Sequence, residues 1–235
     1  MNHTAFPPFP ETGLPPQRLP FEIAGVALWK VSLTQPDEAA AILLSWLDER
    51  EKKRTRQSMI ARALLRWFLA RELNCAPQAL AFTTGEHGRP VLATGNGRVR
   101  DFNMSHSGGE ALIGIVLAGS DFARIGVDLE QDKKPRDVLA LARRVLTDDE
   151  RATLNAANAE QRFLRYWTLK EAFSKADGRG FALGFQRLAF DVAEPPEEYA
   201  PQAIRLAAPE TPTRWRFGFV PFGEGAVAAM ALQKK

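Results

Sequence analysis

Ile125-Gly-Val-Asp-Leu-Glu130 is the stretch from which the rest of this chain is best read. Alternating apolar and acidic residues predict a β-strand, in which residues two apart share a face. Ile125, Val127 and Leu129 then point into a core, and Asp128 and Glu130 project together from the opposite side. Their attachment points lie roughly 6.5 Å apart, so both carboxylates reach a single hard cation. Side by side, the two anions repel unless a cation or protons neutralise them. The competing reading is the wet face of an edge strand. A third carboxylate, Glu171, stands in Trp167-Thr-Leu-Lys-Glu-Ala-Phe-Ser-Lys175, and from a helix it would complete an oxygen-lined divalent site.

Outward from that strand, the pattern alternates strands with helices. Downstream of the strand at 123–130, Pro135 breaks the chain and 138–145 reads as a helix. Thr147 and Glu150 form a capping box, and 161–176 is a helix stopped by Gly178. Strands follow near 187–192, 214–220 and 226–232. Upstream, six prolines in the first twenty residues predict an extended, poorly packed lead-in. A buried strand over 23–33 comes next. Thr34 and Asp37 resemble another capping box, ahead of a helical stripe of Ala40, Leu43, Leu44 and Leu47. A helix over 54–73, a loop-rich stretch over 85–97 and an apolar strand over 111–118 complete this half.

There is an internal echo. Gly25-Val-Ala-Leu28 resembles Gly126-Val-Asp-Leu129, and Leu80-Ala-Phe82 resembles Leu188-Ala-Phe190, in the same order. If the halves are duplicates, Ala27 stands where Asp128 does, and the acidic strand belongs to the second half alone.

Composition bounds the function classes. Apolar residues at 45% and charged residues at 25% argue against disorder. A formal charge of +3 suits an anionic ligand or an acidic partner, but 28 acidic residues nearly balance 31 basic ones, which falls short of a nucleic-acid signature. One cysteine excludes an intrachain disulfide and fits a reducing, cytoplasmic setting. The N-terminus shows no secretory pattern, and no segment is long enough to span a bilayer. Three histidines, far apart, make a multi-histidine zinc site improbable.

Trp167, Glu171 and Lys175 are spaced four apart and share one helical face. Taken alone, Glu171 and Lys175 read as an exposed ion pair worth about 0.2–0.5 kcal/mol. Trp167 reads as packing, and Lys170 points away from this face. Asn103, Ser105 and His106 lead into Ser107-Gly-Gly109, where small residues bring donors close to a phosphate, or form an ordinary turn.

Together these blocks resemble the 4′-phosphopantetheinyl transferases of the surfactin-synthetase-activating type. The resemblance rests on Phe102-Asn-Met-Ser-His-Ser107, Gly126-Val-Asp-Leu-Glu130 and Trp167-Thr-Leu-Lys-Glu-Ala-Phe-Ser-Lys175, with support from Gly88-Arg-Pro90 and the region of Arg50 and Arg62. The blocks run in the family's order from about residue 49 to 180. The implied fold is a pseudo-symmetric, two-lobed α/β (α+β) protein, each lobe a small sheet packed with helices. Residues 1–20 would be the proline-rich lead-in, 21–118 the N-terminal lobe and 119–235 the C-terminal lobe carrying the metal site.

The resemblance also implies a reaction. The phosphopantetheine arm of coenzyme A, held with Mg²⁺ between the lobes, would pass to a serine of an apo acyl or peptidyl carrier protein, releasing adenosine 3′,5′-bisphosphate. Mn²⁺ is a possible substitute. By analogy Asp128, Glu130 and Glu171 are the metal ligands, and Glu171 also takes the serine proton, directly or through water. Lys175 contacts the coenzyme's phosphates, as do Arg50, Arg62, Arg89, Asn103, Ser105 and His106. Arg89 stands where relatives often carry lysine, and a planar guanidinium changes the geometry of a 3′-phosphate contact without removing it. Leu47 stands where some relatives have a further lysine, so that contact is expected to be missing.

The length and pseudo-repeat fit a monomer, with no nucleic acid or membrane as partner. Helices between 135 and 158 are candidates for carrier docking. Two other classes remain in view: a non-catalytic relative that binds coenzyme A or a carrier, and a basic nucleic-acid-binding protein using 50–71. Retention of all three carboxylates and Lys175 argues against the first, and the absence of an aromatic-interleaved basic sheet argues against the second.

Overall fold

A computed structural model describes residues 6–93, 97–131, 137–192, 203–206 and 214–235. The expected break at Pro135 lies outside the described residues. The chain divides into two compact units, residues 1–120 and 121–235.

The first unit runs β1 (Gln17–Arg18), β2 (Val26–Ser32), α1 (Asp37–Leu44), α2 (Arg56–Leu73), β3 (Phe82–Thr84), β4 (Pro90–Leu92), β5 (Val99–Ser107) and β6 (Glu110–Leu117). Its antiparallel sheet has the order β1-β2-β6-β5, and β3-β4 is a separate hairpin. Helix α2 is apolar on nearly every side, and residues from Ile60 to Ala70 fill the core beside Val31, Phe102, Ile113 and Ile115. Thr55 caps α2, its hydroxyl accepting from the Ser58 amide at 3.4 Å.

Four expectations are corrected in this unit. Thr34 caps nothing: α1 begins after Pro36, whose ring presets a helix-entry φ of −52° but supplies no capping oxygen. The helix ends at Leu44, so Leu47 is buried from the loop that follows. The proline-rich lead-in is packed in part: Pro10 and Leu19 are buried and Phe6 and Phe9 are half-buried, while Pro8, Leu14 and Pro15 stay exposed. The Phe6 and Phe9 rings lie 5.3 and 5.2 Å from Trp67, whose indole N–H donates to the Pro7 carbonyl at 3.3 Å. Aromatic burial outweighs the extended bias of the prolines. Finally, residues 103–107 belong to strand β5, and the turn is Gly108-Gly109, with φ of 58° and 89°. Positive φ at both central residues is what a two-residue type I′ hairpin turn requires.

The second unit runs β7 (Phe122–Gln131), α3 (Val138–Val145), α4 (Asp148–Ala152), α5 (Ala159–Asp177), β8 (Leu188–Asp191), β9 (Ala203–Leu206), β10 (Trp215–Phe219) and β11 (Ala226–Lys234). Strands order as β10-β11-β7, all antiparallel, with β8-β9 as a hairpin. The Thr147–Glu150 capping box is present, and α5 ends on Gly178 at φ 96°. Phe163, Leu164, Tyr166, Leu169, Ala172 and Phe173 make α5 the spine of this unit's core.

Each unit is thus a mixed α/β body on one plan. The first long strand (β2 or β7) pairs with the last (β6 or β11), which pairs with the one before it (β5 or β10). Each also has one long helix and one small hairpin. A buried cation repeats as well. Lys170 on α5, fully buried, donates to Glu150 at 2.6 Å and to the carbonyls of Val145, Phe185 and Leu188 at 2.8–2.9 Å. Arg66 on α2 pairs with Glu51 at 2.8 Å and donates to the carbonyls of Pro77 and Leu80, both at 2.9 Å. Leu80 and Leu188 are the matching positions of the sequence echo, so the repeat extends to side-chain chemistry.

Candidate functional site

The second unit's site begins with a residue that lacks a side chain. At Gly126 the backbone of α5 lies directly on β7: an added Cβ would meet the Ala172 carbonyl at 2.0 Å and the Ala176 amide at 2.5 Å. No other residue permits this approach without moving helix from strand. The approach brings the even-numbered face of β7 under Trp167, Glu171 and Lys175. Lys175 Nζ reaches Asp128 Oδ1 at 2.6 Å, and Trp167 Nε1 donates to Glu130 Oε1 at 2.9 Å. Glu171, one helical turn from each, lies between these two contacts.

The electrostatics follow from that placement. Glu171 is pushed up to about 7, first by burial and then by the negative charge of Asp128, with Glu130 adding to it and Lys175 opposing. Asp128 is 4% exposed, which rules out the wet-face reading of β7. The strand's other face is buried too, through Ile125, Val127 and Leu129.

These residues are an all-oxygen donor set carrying three negative charges, which is the chemistry a hard divalent cation takes. Asp128 and Glu130 both raise Glu171, as neighbouring negative charges do. The oxygens are not gathered at one point. Asp128 turns to Lys175 and Glu130 to Trp167, and among the described residues no three acidic, histidine or cysteine side chains form a ready coordination sphere.

Apart from Lys175, the sequence-predicted phosphate contacts lie in the first unit, and the structure separates some of them. Strand pleating puts Phe102, Met104 and His106 on the face toward α2, where Phe102 and Met104 join the core. His106 Nε2 lies 3.3 Å from the Ser58 hydroxyl near the start of α2. Asn103 and Ser105 occupy the opposite face, so the three residues expected to act together do not share a side of the strand. Arg89 donates to Asp101 at 2.6 Å and to the Phe102 carbonyl at 3.2 Å. Arg62 is half-buried on α2, and desolvation, with the nearby Arg54 charge, pulls its guanidinium below the usual arginine range. Arg50 is exposed, at the start of the short 3₁₀ turn Glu51–Lys53.

Three residues were missed or undervalued in the sequence. Trp167, assigned to packing, carries a donor into the site. Lys170, read as pointing elsewhere, is the buried anchor of α5. Gly126 sets the approach of helix to strand. Only the last left a local signal, a glycine inside a strand pattern, which marks a close backbone approach.

With the strands matched by the sequence echo and the helices by their buried cations Arg66 and Lys170, the positions of Asp128, Glu130, Glu171 and Lys175 are held in the first unit by Ala27, Trp29, Trp67 and Arg71. The Arg71 guanidinium lies 4.7 Å from the Trp29 ring and 5.4 Å from that of Trp67. One framework therefore holds an acidic cluster in one unit and an aromatic cage around a cation in the other.

Residues 124–231 match the family model described as the 4′-phosphopantetheinyl transferase superfamily. The chain is 32% identical to the 4′-phosphopantetheinyl transferase HetI of Nostoc sp. over 172 residues, 67% of this chain and 70% of that protein. It is 31% identical to a phosphopantetheinyl transferase of Thraustochytrium sp., over 73% of this chain and 67% of that one. A Synechocystis sp. protein, slr0495, named as a candidate 4′-phosphopantetheinyl transferase, is 38% identical over 60% of this chain, and the match spans 57% of its length. On these matches, the chain belongs to the 4′-phosphopantetheinyl transferase superfamily.

Proposed function

We propose that this protein transfers the 4′-phosphopantetheine arm of coenzyme A to a serine of an apo acyl or peptidyl carrier protein. In the step, the serine oxygen bonds to the β-phosphorus of coenzyme A. The bond from that phosphorus to the bridging oxygen breaks, and adenosine 3′,5′-bisphosphate leaves with the electron pair. The serine proton passes to Glu171, directly or through water. The observation that carries the reading is the meeting of β7 and α5, which sets Asp128, Glu130, Glu171 and Lys175 on facing surfaces in a chain of this superfamily.

Asp128, Glu130 and Glu171 would hold Mg²⁺, with Mn²⁺ as a substitute. Bound there, the ion would neutralise the carboxylates and polarise the phosphate oxygens. Lys175, seated beside Asp128 on the same helix face as Glu171, supplies a positive charge to the transferring phosphate. Arg50, Arg62, Arg89 and His106 would contact the coenzyme, whereas Asn103 and Ser105, on the opposite face of β5 from His106, would not reach it from the same side. The protein acts as a monomer in the cytoplasm. Among the described residues, no helix is long and apolar enough to cross a membrane.

The test incubates purified protein with coenzyme A, Mg²⁺ and a panel of apo carriers. Mass spectrometry should find an addition of about 340 Da on the carrier, dependent on metal. Asp128→Ala and Glu171→Ala should each abolish it while the fold persists. Full transfer by either variant refutes the roles assigned.

A further inference from the structure

Trp167 is more than core filling, and its surroundings say why. The indole is pinned on α5, with the Phe163 ring stacked at 6.1 Å and the Phe185 ring edge-on at 6.1 Å. An indole N–H can only donate, and when half-buried it needs an acceptor. It takes Glu130 Oε1 at 2.9 Å, across from β7. A neutral donor to a carboxylate fixes one oxygen in place without cancelling the charge. Lys175 treats Asp128 differently, as a full counter-charge at 2.6 Å.

A flexible glutamate on a strand has three rotatable torsions, and ordering them costs conformational entropy. An aromatic side chain, already held by its neighbours, carries that cost before any ligand arrives. Hydrogen bonds to a ligating carboxylate orient it, and losing such an outer partner weakens metal binding by about 10–100-fold.

We infer that Trp167 is a positioning residue for Glu130: its indole N–H presets that carboxylate for a divalent cation shared with Asp128 and Glu171. This rests on the metal role proposed above, and the experiment separates the two. The chain has five tryptophans. Labelled with 5-fluorotryptophan, it should give one ¹⁹F resonance that Trp167→Phe removes and that shifts when Mg²⁺ is added, with no substrate present. Mn²⁺ titration followed by electron paramagnetic resonance should show binding to Trp167→Phe weakened about 10–100-fold. Phenylalanine keeps the ring packing, so the thermal midpoint should stay close to wild type.

In a Glu130→Gln background, Trp167→Phe should weaken Mn²⁺ binding no further. A wild type that binds Mn²⁺, together with a Trp167→Phe variant that binds equally well, overturns the positioning role and leaves the metal site standing. Should Trp167→Phe not fold, a Trp167 resonance in wild type that ignores Mg²⁺ while Mn²⁺ binds overturns it as well. A wild type that binds no Mn²⁺ removes the metal assignment, and this inference with it.

Discussion

Replacing Lys170 by methionine keeps the length and most of the volume of the side chain and removes one charge. The ammonium has three N–H groups and four acceptors within 2.6–2.9 Å, so every donor is used. Side-chain exposure is 0% for Lys170 and 1% for Glu150, so water cannot replace what is lost. Burial pulls the Lys170 ammonium below its usual range, with Glu150 opposing. The charge therefore persists because of its partner.

Methionine would strand the Glu150 carboxylate, and removing one member of a buried pair costs about 3–5 kcal/mol. Glu150 keeps two amide donors, Thr147 at 2.8 Å and Phe190 at 2.9 Å, which holds the figure to the lower half of that range. Adding Glu150→Gln to Lys170→Met should restore about 1–2 kcal/mol, because an amide buries no net charge. Urea unfolding followed by circular dichroism measures all three variants. A Lys170→Met protein within about 1 kcal/mol of wild type would refute the assignment, since typical substitutions already reach that. Arg66→Met, which strands Glu51 in the first unit, should behave alike.

Gly126→Ala places a methyl against helix backbone, which cannot rotate away, and should cost at least about 1–3 kcal/mol. It should also abolish carrier modification by lifting Glu171 from Asp128, and a stable, active Gly126→Ala protein would count against the close approach. Because the folded Glu171 binds its proton up to about pH 7, its favourable contribution is complete below pH 4.5 and is lost as pH rises through 7. In a chelating buffer, Glu171→Gln should therefore gain on wild type between pH 4.5 and 7.5, by about 1–2 kcal/mol after discounting for partial exposure. A pH-independent difference between the two proteins contradicts the shift. Phe9→Ala should cost about 1–2 kcal/mol and change the emission of Trp67, its ring partner at 5.2 Å. No change in either would mean that the proline-rich segment does not pack in solution.

The duplicated plan explains why the sequence was informative in some places and silent in others. Regular periodicity and local caps carry their meaning within a few residues. Thr147 finds Glu150 three positions on, and 138–145 reads as a helix from its own spacing. Where a turn competes with a strand, local chemistry misleads. Asn103, Ser105 and Ser107 look like loop residues, yet pairing with Gly114, Leu112 and Glu110 respectively on the next strand holds them extended. Proline at 36 likewise overrode a plausible cap at Thr34.

From the chain alone, strand alternation determined that Asp128 and Glu130 share a face, and helical spacing that Trp167, Glu171 and Lys175 share another. Both are properties of bonds between near neighbours. Which face meets which was decided by folding. Asp128 and Lys175 lie 47 positions apart and Glu130 and Trp167 lie 37, and they meet because Gly126 lets α5 settle onto β7. The rise of Glu171 toward 7 is likewise a product of assembly, since desolvation and neighbouring charge exist only after distant segments pack.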